Sequence, residues 1–239
     1  MEVSDALSPI DYRYLSRDEE LRSKVNSYSG LDIVPRVRRI IPEILIPRLN
    51  YLESKLEDIA RENKGKEIFR RTDGQLDCKT TVDEIFDEYS TRLDRRISQL
   101  EKIYTHIYGS EAEINEYLSD IVYYAVSAFS VEANIADDIR QLFRSEIQEF
   151  SFKEFGNARI GSSTMPHKMN PAEFENIKSL WKAYVPRVTY AILSQITEHQ
   201  GDSTNEDFPY FAFELLIALS YATKKLENSL GNIIINAAE

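Results

Sequence analysis

The run Gly161-Ser162-Ser163-Thr164-Met165-Pro166-His167-Lys168-Met169-Asn170-Pro171 brings two serines, a lysine and an asparagine onto one glycine-hinged loop. Asn170 has the side chain of a helix N-cap, Pro171 suits the first helical position, and Glu173 stands three residues past the cap. The loop is therefore expected to end in a helix start. Unpaired N–H groups and the positive dipole end at such a terminus favour a nearby anion, and Lys168 adds a full positive charge. In that field a serine alkoxide is stabilised enough to remove a proton from carbon, which an ordinary serine does not do. For the Asn-Pro pair taken alone, a capped surface loop is the plain alternative.

Such a loop needs a scaffold, and the apolar periodicity supplies helices. Leu45, Leu49, Leu52, Leu56 and Ile59 form one stripe, and Val82, Phe86, Tyr89, Leu93, Ile97 and Leu100 form another. Ile114, Leu118, Ile121, Val122 and Ala125 continue through Ile135, Ile139 and Phe143. Beyond the loop come Phe174, Ile177, Trp181, Tyr184 and Val188, then Leu215, Leu219, Ala222, Leu226 and Leu230. Only eight glycines interrupt 239 residues, and no alternating strand pattern stands out. The expected fold is all-α, an elongated bundle of about five long helices. Pro35, Pro42 and Pro47 predict a kink or late start in the first helix. Gly65-Lys66, Tyr108-Gly109-Ser110 and Gly201 to Asn205 are the expected turns. The first thirty residues read as an irregular arm with a short helix near Asp18 to Val25.

A net charge of −11 argues against general nucleic-acid or anionic-membrane binding, while leaving room for a local basic pocket. The single Cys78 rules out an intramolecular disulfide framework and fits a reducing, cytoplasmic setting. No apolar run reaches membrane-spanning length, and the opening Met-Glu-Val-Ser-Asp lacks the basic and apolar regions of a signal peptide. No Cys/His spacing suggests a metal, so none is expected, nor an organic cofactor.

The pattern Gly-Ser-Ser-x-Met-Pro-x-Lys-x-Asn-Pro at 161–171 resembles the signature loop of the fumarase/aspartase superfamily, whose members eliminate fumarate from a substituted succinate. Three further segments are similar to the adenylosuccinate lyases within it. Ser8-Pro9-Ile10-Asp11-Tyr12-Arg13-Tyr14 matches a stretch whose Arg-Tyr pair contacts the nucleotide phosphate, which implicates Arg13 and Tyr14; a turn with a structural salt bridge is the alternative. Arg70-Arg71-Thr72-Asp73-Gly74-Gln75 with Thr80-Thr81 resembles Arg-Thr-His-Gly-Gln…Thr-Thr, in which the histidine is the general acid and the glutamine, here Gln75, binds substrate. Asp73 occupies the histidine position and is ordinarily ionised at neutral pH. To serve as the acid it needs burial or a neighbouring carboxylate, and Glu175 matches the family glutamate that pairs with that histidine. Otherwise Asp73 merely turns the chain. Glu198-His199-Gln200-Gly201-Asp202 resembles Trp-His-Glu-Arg-Asp, with Gly201 where an arginine would bind substrate. His199 reads equally as a helix-end residue, and His106 as a helix C-terminal one; His167 carries no catalytic assignment.

The resemblance implies a central bundle, 31–239, carrying the loop 161–171, with 1–30 a remnant of the family's first domain. Blocks between Tyr14 and Gly30, between Ile103 and Ser110, and after Ile233 are expected to be missing. It implies a homo-oligomer, a tetramer with shared active sites, although a lone bundle also satisfies the helix patterns. The implied chemistry is cofactor-free β-elimination from an anionic small molecule. Ser162 would be the base, Asp73 and Glu175 the acid pair, and Ser163, Lys168 and Asn170 would bind alongside Arg13, Tyr14 and Gln75. The implied function is adenylosuccinate lyase-like fumarate release in purine biosynthesis, impaired or altered by the changes at 73 and 201. A lyase for a smaller amino-acid substrate, or a non-catalytic oligomerisation or regulatory partner, stays open beside it.

Overall fold

The computed structural model describes residues 14–106, 111–153, 170–196 and 203–236. Its class is all-α, built on helices that follow the apolar stripes. A short helix α1 (Glu19–Ser27) is capped by Asp18, whose carboxylate accepts from Leu21 N–H at 3.0 Å. Helix α2 (Ile33–Ile40) runs into α3 (Ile46–Glu62) through a π-helical turn at Ile41–Leu45. The prolines explain that turn. Pro42 and Pro47 donate no N–H, so the ladder loses donors on both sides and Ile46 N–H reaches back to Ile41 O instead.

Helix α4 (Val82–Tyr104) opens with a complete capping box between Thr81 and Glu84. Helix α5 (Glu111–Leu142) has 32 residues, a length of about 48 Å at 1.5 Å per residue. After it come α6 (Ala172–Tyr184), a 3₁₀ turn at Val185–Val188 imposed around Pro186, α7 (Thr189–Leu193) and α8 (Phe208–Leu230). α3 packs on α4, α4 on α5, and α5 on α6, while α8 touches α2, α3, α5 and α6 and forms the centre. Leu49, Leu52, Leu56, Leu93, Phe129 and Leu219 are fully buried there. Each such side chain contributes about 1.5–3 kcal/mol by leaving water.

The arm joins this core instead of lying beside it: Leu21, Val25 and Tyr28 are buried in the same cluster. Arg48, itself buried, ties α1 to the bundle. It donates to Asp18 at 2.6 and 3.0 Å, to Glu20 at 2.7 Å and to Ser220 O at 3.0 Å. Burial pushes the Asp18 carboxyl up, but the bonds from Arg48 and Leu21 N–H and the Arg48 charge outweigh it and leave the pKa below the usual value.

Two short strand pairs accompany the helices. β1 (Glu67–Thr72) and β2 (Gln75–Thr81) form an antiparallel hairpin, and β3 (Phe150–Phe152) pairs with β4 (Ile233–Ile235). The first hairpin is polar on both faces and largely exposed, so it carries no apolar alternation to read. The second has three residues per strand, too few for a period.

Candidate active site

The loop motif lies between β3 and α6, and both flanks are anchored. β3 pairs Phe150 with Ile235 and Phe152 with Ile233, Lys153 N–H donates to Asn232 O at 2.9 Å, and Asn236 N–H donates to Glu149 O at 2.7 Å. On the other flank the helix starts one residue later than the sequence predicts. Pro171, not Asn170, is the N-cap: its carbonyl accepts from Phe174 N–H at 3.1 Å and Glu175 N–H at 3.2 Å, and no side chain caps the end. The proline fixes its own φ and its carbonyl opens the ladder, which leaves Asn170 exposed outside the helix. Glu173 and Glu175 occupy the first turn and already offset the positive dipole end. Ser162, Ser163, His167 and Lys168 lie outside the described residues, as do Arg13, His199, Gly201 and Asp202.

Glu175 does not pair with Asp73. Its carboxylate faces Arg140 Nη1 at 3.9 Å, within a network in which Asp137 accepts from Arg140 at 2.8 Å and lies 2.7 Å from Lys178 Nζ. Asp73 sits at the tip of the first hairpin with φ +52°, followed by Gly74 at +76°. Two successive residues at positive φ make the mirror-image turn that suits a twisted two-residue hairpin, for which Asp-Gly is a preferred pair. Asp73 is exposed and makes no hydrogen bond or ion pair among the described residues; Gln75 beside it is exposed too. The chain-turning role of Asp73 is thus the one visible in the fold.

Beneath that hairpin lies a cleft of about 700 Å³ whose lining includes Arg70, Arg71, Tyr89, Arg92, Asn134 and Asp138. Tyr89 OH donates to Asp138 at 2.7 Å, Asn134 Nδ2 donates to Asp138 at 2.9 Å, and Arg92 donates to Asn134 Oδ1 at 2.7 Å. Burial, only partly opposed by the Tyr89 bond, holds the Asp138 carboxyl above its usual value; burial and then the Asp138 charge push the Tyr89 phenol up. A half-buried carboxyl with arginines around it in a cleft is the kind of place where charged ligand groups can be held. Sequence reasoning passed over these residues. The available signal was a pair of adjacent aspartates, Asp137 and Asp138, inside an otherwise apolar helical stripe.

Tyr14 goes elsewhere. It is buried and packs on Tyr221 of α8 with ring centroids 5.0 Å apart. Tyr221 also lines a second cavity, of about 480 Å³, with Arg17, Glu173, Lys224 and Lys225. Burial lowers the Lys225 ammonium, Glu173 raises it and Arg17 lowers it again. Within one chain, Tyr14 is therefore near the foot of α6, whereas Asp73 and Gln75 belong to the hairpin above the first cleft. His106 has the helix C-terminal place expected of it, with Nδ1 2.7 Å from Lys102 O.

A family model described as Lyase matches residues 118–183, which run from α5 through the motif to the end of α6. The adenylosuccinate lyase of Pyrococcus abyssi is 26% identical over 193 residues, covering 66% of this chain and 43% of that protein. The family-model match and this relative support a place for the chain in the fumarase/aspartase superfamily. A second adenylosuccinate lyase, from Methanothermobacter thermautotrophicus, is 27% identical over 228 residues, 80% of this chain and 51% of that protein. An N-acetyl-S-(2-succino)cysteine lyase from Enterococcus italicus is 41% identical over 69 residues, 29% of the chain and 15% of the relative. The chain spans about half the length of the adenylosuccinate lyases it matches. Among the described residues no helix is long and apolar enough to cross a membrane, and no cluster of three His, Cys, Asp or Glu could hold a metal.

Proposed function

We propose that this chain is a fumarate-releasing carbon–nitrogen lyase of the adenylosuccinate type, working in purine biosynthesis as a cytoplasmic homotetramer. The observation that carries the reading is the complete signature pattern at 161–171, held between the β3–β4 pair and α6. In this reading Ser162 removes the proton on the carbon next to a substrate carboxylate. Lys168 and Asn170 stabilise the carbanion, with Ser163 completing the binding of the carboxylate. The electron pair forms the double bond of fumarate as the carbon–nitrogen bond breaks, and the departing nitrogen takes up a proton. Arg13, Tyr14 and Gln75 hold the nucleotide part. Separation of the Tyr14 and Asp73 regions within one chain supports shared sites in an oligomer.

One observation favours a second reading. Asp73, at an exposed turn, stands where the family has its proton-giving imidazole, so that donor is missing from the position. A departing amine needs that proton, whereas a thiol, with a pKa near 8.5, leaves readily as thiolate. Elimination from an S-(2-succino) thiol, the substrate type named for the Enterococcus italicus relative, would tolerate the change. A non-catalytic partner of a longer lyase is the remaining reading.

The test is fumarate release, followed by ultraviolet absorbance, from adenylosuccinate and from N-acetyl-S-(2-succino)cysteine, with Ser162→Ala in parallel. Turnover of the first substrate that disappears in the variant supports the nucleotide reading, and turnover of the second alone supports the thiol reading. Silence on both substrates, wild type and variant alike, overturns the enzyme reading.

A further inference from the structure

Three elements terminate at one point: α5 ends at Leu142, β3 ends at Phe152, and α6 begins at Ala172. Each contributes one aromatic ring there. Phe143 and Phe152 have centroids 4.4 Å apart, Phe143 and Phe174 are 6.0 Å apart, and Phe152 stacks on Phe174 at 6.0 Å with the planes 9° from parallel. Phe152 and Phe174 are buried, and Phe143 packs against them from the edge of the core. Among the described residues, Phe152 is the last ring before the motif and Phe174 the first one after it. Their stacking therefore joins the two flanks directly, across a contact that neither backbone anchor makes. The β3–β4 pair fixes one flank to the end of α8, and the Asp137–Lys178 bridge fixes the other to α5. Each anchor leaves the spacing between flanks unset.

We infer that Phe143, Phe152 and Phe174 are positioning residues that set the separation of the two flanks of the signature run. The consequence for turnover rests on the lyase reading above; the mechanical coupling does not. Edge-to-face and offset aromatic packing of this kind has a strength that corresponds to a severalfold change in a local opening equilibrium. Loss of one ring should then be felt at the opposite flank.

Native-state hydrogen exchange on the full chain tests this. In Phe152→Leu, the amides of Phe174 and Glu175, which bond Pro171 O, should exchange roughly three- to tenfold faster, while amides of α4 stay unchanged. In Phe174→Leu, the Lys153 amide, bonded to Asn232 O, should respond in the same way. The double variant should show less than the product of the two effects, because the shared contact is lost only once. Phe143→Leu, at the less buried ring, gives the same readout if either buried substitution prevents folding. Should each change loosen only its own flank, or every helix alike, the positioning role is overturned. With an active wild type, Phe152→Leu should lower kcat with KM little changed, and Phe152→Tyr should restore it. A wild type without turnover would overturn the lyase reading and leave the exchange result to decide the coupling.

Discussion

Among the described residues there are two small antiparallel sheets, and they are made in opposite ways. β1–β2 is local: Thr72 and Gln75 pair across the two-residue Asp73-Gly74 turn, and most of its side chains face water. β3–β4 is remote: Phe150 pairs with Ile235 across most of α6, α7 and α8, and Phe150, Phe152 and Ile233 are buried. A local hairpin costs little loop entropy and folds where its turn residues allow, so it suits presentation of side chains at a surface. A remote pair forms only after the helices have packed, so it suits anchoring. An ion pair links the two. Arg71 of β1 donates to both oxygens of Glu149 at 2.9 Å, and Glu149 O in turn accepts from Asn236 beyond β4.

The largest effect expected from breaking this contrast is chemical. Ser162→Ala, in the run anchored by β3–β4, should lower fumarate release by about 10²- to 10⁴-fold, while Asp73→Asn, at the tip of the local hairpin, should stay within about threefold of wild type. Steady-state absorbance assays compare them, and an equal collapse in Asp73→Asn would restore Asp73 as the acid.

Next comes pH, through the helix that leads into β4. Glu132 of α5 is fully buried, accepts from Thr223 Oγ1 of α8 at 2.6 Å, and has no partner for its second oxygen. Burial pushes its pKa up from 4.5 to about 8. The folded state therefore keeps a proton that the unfolded state releases. The associated stability is fully present below pH 4.5 and is lost as the pH rises through about 8. Relative to wild type, Glu132→Gln should gain stability over that window by at most about 1.4 kcal/mol per pH unit. Urea melts at pH 5, 7 and 9 check the slope, and parallel curves would show that Glu132 titrates normally.

The link between the sheets should come third. Glu149 is buried and Arg71 is mostly so, and Arg71→Ala strands the carboxylate. A loss of about 2–3 kcal/mol is expected, below the range for fully buried pairs because the arginine keeps some solvent. Equilibrium denaturation measures it, and a loss under about 0.5 kcal/mol would make the two sheets independent. Smallest is Gly74→Ala. At φ +76° the added Cβ meets nothing within 4 Å, so only the left-handed backbone costs, about 1 kcal/mol.

Much of the bundle was legible because helices advertise themselves locally. The stripe from Val82 to Leu100, or the three prolines ahead of Leu49, need no tertiary information to be read. The motif at 161–171 was legible as chemistry for the same reason, since its residues are adjacent in the chain. What escaped were features created by distance. Arg71 and Glu149, or Tyr89 and Asp138, are far apart in sequence and gain meaning only when packing removes water between them. The cap at Pro171 in place of Asn170 is a one-residue shift that local propensity does not resolve.

By itself, the sequence determined the helical class and the interruption of the first long helix by its prolines, because periodicity and proline geometry are local properties. Only the tertiary structure decided that Asp73 turns a solvent-exposed hairpin, that Glu175 faces Arg140, and that Tyr14 lies against α8. Those outcomes depend on which surfaces the helices bury against one another, and burial is a property of the packed chain as a whole.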